Sequence, residues 1–363
     1  MTKRGQIPLS SVVCLSILSL ILLGWWTYRQ TRTTEPDGRQ PIVFWGSAYF
    51  EQDIYNVVHA FERKNPEYRV ILSSAAARNL TDDAQRLMCA VAGGVPPDVV
   101  WFDRFALGEW ASRGAVLDFR PLLEAQAPDD PARINLDDFY DWAIAECSFA
   151  PPGSQQTPGL FGIPSNADVR VLYINGDALR QAGLVDEKNR PHPPRTWDEL
   201  LSHTQKLTLH RTPGDTTSPI TRLGFAPHVG NSWLYLYAFQ AGGDMMNADR
   251  TRVTMDSPPV VRALRFMTSL YDAAGSYASV EAFAQSQQAG ALHPFITGKL
   301  AMQITGDDFL RFIADWKPQM DFAVAPPPMP ADQLEKGVKP LTWSGGWAYV
   351  IPATSRNVSG AFK

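Results

Sequence analysis

The chain contains little cysteine, no run of basic residues and no histidines spaced as metal ligands. Three cysteines are too few for a disulfide framework. We expect Cys89 and Cys147 to be two buried thiols, with a single disulfide between them as the alternative. Lysine and arginine number 33 against 37 acidic residues, a net charge of −4, so the chain has no electrostatic footprint for a nucleic-acid partner.

The sequence also lacks the short motifs of common hydrolytic and metal chemistry. No serine stands in a glycine-flanked nucleophile pattern, and no two histidines stand in a His-x-x-x-His pair. The histidines are scattered along the chain at His59, His192, His203, His210, His228 and His293. We therefore expect no catalytic residue, no metal site, no cofactor and no enzymatic activity.

Tryptophan and proline are abundant, with 11 and 29 residues respectively. The 363 residues, 45% of them hydrophobic, are enough for about two domains. Prolines suit long surface loops. Tryptophans beyond the needs of the cores suit a site that stacks flat ligands or sugars.

The N-terminus has the features of a membrane anchor. Lys3 and Arg4 precede an uncharged segment, residues 7–28, which is long enough to span a bilayer. The order of charge and apolar segment predicts that everything after it is exported. Bulky aromatic residues stand where a cleavage site needs small ones, so we predict a retained anchor rather than a cleaved signal peptide or a lipidated Cys14.

Apolar runs of strand length alternate with amphipathic helical segments from Pro41 onward. This α/β alternation predicts largely parallel sheets with helices on both faces. In such sheets ligands bind beyond the carboxyl ends of strands. The first and third predicted strands end at Trp45, Gly46 and Ser47 and at Trp101, Asp103 and Arg104.

The segment from Gly159 to Leu184 has the pattern of a strand, a turn and a short helix. Asn166, Asp168 and Arg170 place polar groups in an otherwise apolar strand. That pattern suits a chain passing from one lobe to another beside a binding site, although an ordinary interior strand with one polar face is the alternative.

The second half of the chain carries further local signals. Thr196 and Glu199 have the spacing of a capping box, which predicts a helix running to about Leu207. The runs 223–226 and 295–304 have the composition of strands.

Six motifs follow one another after residue 41: Phe61–Pro66, Gly94–Val99, Gly162–Pro164 with Leu172–Asn175 and Ala182–Leu184, Thr196–Leu200, Gly298–Met302, and Gly345–Gly346. Together they resemble the exported solute-binding proteins of bacterial ABC importers, specifically the sugar-binding type that includes maltose-binding protein. The resemblance covers nearly everything after Pro41.

The resemblance implies a two-lobed periplasmic-binding-protein-like fold of type II that closes on its solute at a hinge. Residues 1–40 would be anchor and tether, residues 41–165 plus 343–363 the first lobe, and residues 166–342 the second lobe. Asn166 to Asp168 would be the first crossing and Trp343 to Gly346 the return. Family members continue beyond that return, which predicts that the first lobe is truncated at its C-terminus.

The same resemblance implies ligand-binding roles for Trp45, Gly46, Ser47, Trp101, Asp103, Arg104, Asn166, Asp168, Asn231, Trp233, Gly306, Asp307, Asp308, Trp343, Gly345, Gly346 and Trp347. Asp103 and Arg104 would bind sugar hydroxyls through charge-assisted hydrogen bonds, and Asp103 is favoured because it ends a strand without an evident capping task. Asp308 replaces an aromatic residue frequent in the family. Core packing of Trp101 and Trp233, and an N-cap role for Asp307, are alternatives.

These features predict a monomeric, membrane-anchored sugar-binding protein that delivers its solute to an ABC permease. One alternative is a membrane-anchored hydrolase of carbohydrates, in which Asp103 and Asp307 would act as paired carboxylates. Another keeps the fold and binds an oligopeptide, a polyamine or an anion. The candidate residues are mixed in charge, with Arg104 the only evident cation, so they do not favour an anion.

Overall fold

The structure is a computed structural model that describes Ser19 and residues 38–46, 51–73 and 80–363. Among these residues no helix combines the length and the apolar character needed to cross a bilayer. The predicted anchor at residues 7–28 lies outside the described residues except for Ser19.

The chain divides into two compact units. The first comprises the described residues up to Ala150 together with Thr157–Ser165 and Trp347–Lys363. The second comprises Pro151–Gln156 and Asn166–Gly346. Residues 343–346, which the resemblance assigns to the first lobe, thus group with the second unit.

Strands and helices are named in chain order. The strands are β1 Gln40–Trp45, β2 Tyr68–Ser73, β3 Val99–Asp103, β4 Ser148–Phe149, β5 Gly159–Leu160, β6 Ile163–Pro164, β7 Asp168–Asn175, β8 Leu209–His210, β9 Ile220–Arg222, β10 Met302–Gly306, β11 Phe322–Ala325, β12 Ser344–Gly345 and β13 Trp347–Val350. The helices are α1 Glu51–Lys64, α2 Leu80–Ala92, α3 Arg104–Ser112, α4 Arg120–Ala125, α5 Asp141–Glu146, α6 Gly176–Gln181, α7 Trp197–Leu207, α8 Leu234–Gln240, α9 Pro258–Ala273, α10 Tyr277–Gln285, α11 Phe309–Trp316, α12 Ala331–Glu335 and α13 Val358–Phe362.

The main sheet of the first unit has the order β2-β1-β3-β13-β6. β1 is parallel to β2 and β3, as the predicted alternation of strands and helices requires, whereas β13 is antiparallel to β3 and β6. Because β13 runs against β3, its first residue, Trp347, lies opposite Asp103 at the carboxyl end of β3. The sheet topology therefore brings two distant predicted site residues together.

The sheet of the second unit is built around β7, whose residues Leu172, Tyr173 and Ile174 are fully buried. β7 lies between β10 and β11 and is antiparallel to both, and it also pairs antiparallel with β12. The expectation of a mainly parallel sheet is therefore wrong for this unit. α11 does connect two strands of the same direction, β10 and β11, but β7, from a distant part of the chain, lies between them.

Local helix signals in the sequence are confirmed. The Thr196 hydroxyl accepts from the Glu199 amide at 3.1 Å, as the capping box predicts, whereas the Glu199 carboxylate accepts at 2.6 Å from the amide of Arg195, one residue before the cap. α7 ends at Leu207 as expected. The predicted strands at 223–226 and 295–304 shrink to an isolated bridge between Leu223 and Leu300 and to β10.

Each unit has its own core. The core of the first unit includes Leu107, Trp110 and Val350, and that of the second includes Leu200 and Phe225. These side chains lie where helices cover the sheets, which places the strand ends, rather than the strand centres, within reach of a ligand.

The described cysteines are both free thiols. Cys147 is buried, and desolvation raises the pKa of its thiol to about 12. Cys89 is exposed on α2, so the expectation of two buried thiols is wrong for Cys89.

Candidate functional site

Three aspartates of the second unit meet where β10 ends and β7 begins. β7 starts at Asp168, and β10 pairs Gly306 with Arg170, so the two residues after β10 arrive beside Asp168. Asp168, Asp307 and Asp308, hereafter the carboxylate cluster, each offer an oxygen within 4.8 Å of the others. The antiparallel register thus assembles residues about 140 positions apart in the sequence.

Arg170 supplies the positive charge of this cluster, a role that the sequence analysis gave only to Arg104. Asp168 and Arg170 are two positions apart on a strand and therefore share a face, and the Arg170 guanidinium donates to the Asp168 carboxylate. The guanidinium also lies 3.8 Å from the centroid of the Trp343 ring. This alternation in β7 was the sequence signal that could have identified Arg170.

The Arg170 side chain has donor capacity left over. Arg170 is buried, and within the described part of the chain its Nε has no hydrogen-bond acceptor. A buried guanidinium nitrogen without an acceptor is costly, and a ligand oxygen would relieve that cost. The three carboxylates outnumber this single guanidinium, so the cluster is rich in acceptors and suits hydroxyl donors or cations rather than anions.

The pKa of Asp308 is raised above its ordinary value. Desolvation contributes most, followed by the negative charge of Asp168, while Arg170 acts in the opposite direction. Gly306 keeps this region compact, because a β-carbon there would overlap the Asp308 carboxylate and lie 3.0 Å from the Asp168 carboxylate. A side chain at position 306 would therefore displace the carboxylates of the cluster.

Asparagine at position 308 should raise the free energy of unfolding at neutral pH. A carboxyl group with a raised folded-state pKa destabilises the fold only while it is ionised. The gain should therefore be present at neutral pH and disappear as the pH falls through the folded-state pKa of Asp308 toward its ordinary value of 3.8. Urea unfolding across that range measures the effect.

Asp315→Asn is the charge-matched control, because Asp315 is an exposed carboxylate on the same helix, α11. It should change stability little at any pH. Asp308 caps no helix amide through its side chain, so the asparagine loses no cap bond. An Asp308→Asn protein less stable than the native chain at pH 7 would contradict the assignment.

An aromatic group borders the carboxylate cluster. The Trp343 indole donates to the Asn231 carbonyl at 3.3 Å and meets the edge of Tyr235 at 5.2 Å between centroids. The Asn231 side chain accepts from the Trp233 indole at 2.5 Å, and Trp233 is 45% exposed. The predicted residues Asn231, Trp233 and Trp343 are therefore one connected group, to which Tyr235, missed from the sequence, belongs.

The segment of residues 343–346 contacts the start of β7 through its backbone. Ser344 and Gly345 form β12 and lie opposite Val169 and Asp168. The Ser344 hydroxyl donates to the Asp168 carbonyl at 3.0 Å. Gly345 is thus placed at the cluster, and its backbone fits closely because a β-carbon would lie 3.2 Å from the Trp343 ring.

In the first unit, Trp101 and Trp347 stack with ring centroids 4.4 Å apart and an interplanar angle of 17°. The Trp101 indole donates to the Ser165 hydroxyl at 2.7 Å, and that hydroxyl donates to the Trp347 carbonyl at 3.0 Å. Trp101 is only 8% exposed, so its face is largely used by Trp347 and the core. The outer ring of the stack, Trp347, is the more accessible of the two.

Asp103 and Arg104 have structural tasks that the sequence analysis did not foresee. The Asp103 carboxylate accepts from the Phe105 amide at 2.9 Å and caps α3, so the premise that it has no capping task is wrong. The Arg104 side chain is fully buried, donates to Glu146 at 2.8 Å and to the Trp347 carbonyl at 2.9 Å. A cation held this way ties α3 to α5 and β13, and its role as a ligand group stays a prediction.

The other predicted residues lie at or beyond the ends of strands. Trp45 is half-buried, with the Arg86 guanidinium 4.1 Å from its ring centroid, and Gly46 packs so closely on Ile54 that a β-carbon would lie 2.8 Å from its side chain. Ser47 is outside the described residues. Asn166 is exposed, and Gly346 has a φ of 138°, a conformation that favours glycine.

A sequence profile of a family described as bacterial extracellular solute-binding protein matches residues 47–363. The sn-glycerol-3-phosphate-binding periplasmic protein UgpB of Salmonella typhimurium is 26% identical over 170 residues, which cover 46% of this chain and 35% of UgpB. A putative binding protein of Brucella abortus is 26% identical over 166 residues, covering 46% and 37%. These matches thus span only about a third of the curated relatives.

Solved structures resemble the chain over most of its length. CpMnBP1 with mannotriose bound is 22% identical, with a TM-score of 0.71 over 88% of this chain and 75% of that protein. The sugar-binding protein MalE of Xanthomonas citri is 19% identical, with a TM-score of 0.65 over 89% and 73%. At these identities the likeness shows the two-lobed periplasmic-binding-protein fold.

Proposed function

We propose that this chain, which belongs to the bacterial extracellular solute-binding protein family, is the solute-binding component of an ABC importer and that its solute is a neutral sugar or oligosaccharide. The observation that carries the proposal is the carboxylate cluster beside Trp343 and Arg170. A sugar has apolar ring faces that stack on indoles and hydroxyls that donate to carboxylates. The second unit offers both kinds of group in one place.

The charge of the cluster supports a neutral solute over an anion. Three carboxylates face one guanidinium that is already bonded to Asp168. A phosphate ester, the solute class in the name of UgpB, would be repelled by the excess negative charge. A hydroxyl-rich ring instead satisfies the carboxylates as a donor and the remaining Arg170 donor as an acceptor.

The remaining parts of the proposal follow from the family. The chain would bind its solute without covalent chemistry, act as a monomer and deliver the solute to permease subunits at the exported face of the membrane, anchored by residues 7–28. Hinge closure would occur where the chain passes between the units, at Ser165–Asn166 and Gly346–Trp347. Asp103, Trp101 and Trp347 are the proposed contributions of the first unit.

A calorimetric and thermal-shift screen with neutral mono- and oligosaccharides should find at least one that binds and raises the melting temperature. Trp343→Ala should weaken that binding on the order of 100-fold. The substitution removes a central aromatic anchor, and it also removes the indole that stacks on the Arg170 guanidinium. Trp316→Ala, which removes a tryptophan 50% exposed elsewhere in the second unit, is the matched control and should bind as the native chain does.

Several outcomes would count against the proposal. Binding of sn-glycerol 3-phosphate with no binding of neutral sugars would show that the solute is a phosphate ester and not a neutral sugar. Hydrolysis of a glycoside by the protein would show that it is a hydrolase and not a binding protein. Equal sugar affinity in the native chain and Trp343→Ala would remove the carboxylate cluster from the binding site.

A further inference from the structure

Two aromatic side chains of the first unit form an exposed, flat surface outside the residues assigned above. Tyr140 and Trp142 stack with centroids 5.7 Å apart and an interplanar angle of only 13°. Tyr140 is 69% exposed and Trp142 37% exposed. Single exposed aromatic residues are common, but a stacked pair whose outer ring, Tyr140, stays mostly in solvent is not needed for the core.

The helix that carries this pair is already anchored on its other side. In α5, Ala143 is buried and Ile144 packs against the core of the first unit. Tyr140 and Trp142 therefore contribute little to holding α5 in place, and on α3 the side chain of Phe105 is also 89% exposed. The aromatic character of this surface is thus in excess of structural need.

One buried side chain connects the pair to Trp347, a proposed ligand-binding residue of the same unit. The Arg104 guanidinium lies 5.4 Å from the centroid of the Trp142 ring and donates to the Trp347 carbonyl at 2.9 Å. Arg104 also donates to Glu146 of α5. The Arg104 guanidinium therefore neighbours both the Trp142 ring and the backbone of Trp347.

We propose that Tyr140 and Trp142 form an accessory subsite that stacks an additional ring of an oligosaccharide whose first rings are bound beside Trp347. This inference rests on the proposed function and narrows its solute to a chain of several sugars. The outer face of Tyr140, backed by Trp142, receives the apolar face of a pyranose, and the Tyr140 hydroxyl and the exposed Asp141 carboxylate meet its hydroxyls at the edge.

The charges around the pair favour a sugar over a protein partner. Asp137, Asp138 and Asp141 are exposed and lie within three residues of Tyr140 in the sequence. Protein interfaces are depleted of such charges at their centres, because carboxylates must then be desolvated without partners. Sugar hydroxyls instead hydrogen-bond to carboxylates at a surface that stays wet.

The test compares binding of glycans from two to six rings to the native full chain and to Trp142→Ala. Native affinity should rise with ring number, and Trp142→Ala should lose that rise, binding the longer glycans on the order of 10-fold more weakly while the disaccharide is unaffected. Trp142→Phe should recover part of the loss. Tyr55→Ala, which removes an exposed tyrosine of the same unit stacked on His59, should behave as the native chain.

The outcomes separate this subsite from the proposed function. If glycans bind and Trp142→Ala binds every length as tightly as the native chain, the subsite is refuted while the proposed function stands. If the same variant binds normally but transports less in membranes with the permease, the surface docks the permease and the subsite is also refuted. If no glycan of any length binds the native chain, both fail together.

Discussion

Alanine at position 170 should lower the free energy of unfolding of the second unit by about 3 kcal/mol. The Arg170 guanidinium is buried, bonded to Asp168 and stacked on Trp343. Its removal leaves three neighbouring carboxylates without their shared counter-charge and uncovers the indole. The same variant should bind sugars at least about 10-fold more weakly, because a donor and the support of the stacking face are lost together.

Arg262→Ala provides the control for this effect. Arg262 donates two hydrogen bonds to Asp332, at 2.6 and 3.2 Å, but the pair is largely exposed, so its loss should cost no more than about 1 kcal/mol. Adding Asp168→Asn to Arg170→Ala should recover part of the stability by removing the uncompensated charge. Urea denaturation measures the free energy of unfolding of both arginine variants. An equal decrease in the two would show that the buried pair of Arg170 and Asp168 stabilises the fold no more than the exposed pair does.

Valine at position 224 should destabilise the second unit by about 3 kcal/mol. A β-carbon on Gly224 would overlap the Thr204 carbonyl oxygen and lie 2.9 Å from the Thr204 α-carbon. These are backbone atoms of α7, which cannot rotate away as a side chain could. Leu223 and Phe225 on either side are fully buried, so the segment cannot move outward without opening the core.

Gly108→Ala is the matched glycine control. Gly108 lies inside α3, and its new β-carbon would touch only the Phe149 ring at 3.8 Å. Alanine there should stabilise the first unit by about 0.5–1 kcal/mol, because it removes backbone entropy from the unfolded chain. Thermal and urea midpoints of both variants test the pair, and a native midpoint for Gly224→Val would overturn the steric argument.

Much of the local structure could be predicted from the sequence because short-range chemistry decides it. Thr196 and Glu199 place the start of α7 through two hydrogen bonds within five residues. α2 ends at Ala92, where two glycines follow, and this stop signal likewise depends only on neighbouring residues. Such signals involve no partner from a distant part of the chain.

The sheet of the second unit could not be predicted in this way. α11 connects β10 and β11, but the insertion of β7 between them depends on pairings across about 130 to 150 residues. Gly224 is similar, because a glycine beside apolar residues resembles a strand until α7 is packed against it. Long-range pairing is chosen by the burial that the whole unit achieves.

The sequence by itself determined the alternation of strands and helices, the family resemblance and the residue types of a sugar site. The tertiary structure alone decided which of these residues act together. It gave Asp103 a capping bond and Arg104 a buried ion pair, and it made Arg170 the cation beside Asp168 and Trp343. Residue types follow from the chain, whereas the charge, burial and free hydrogen-bonding capacity of a side chain depend on neighbours that only folding brings within a few ångströms.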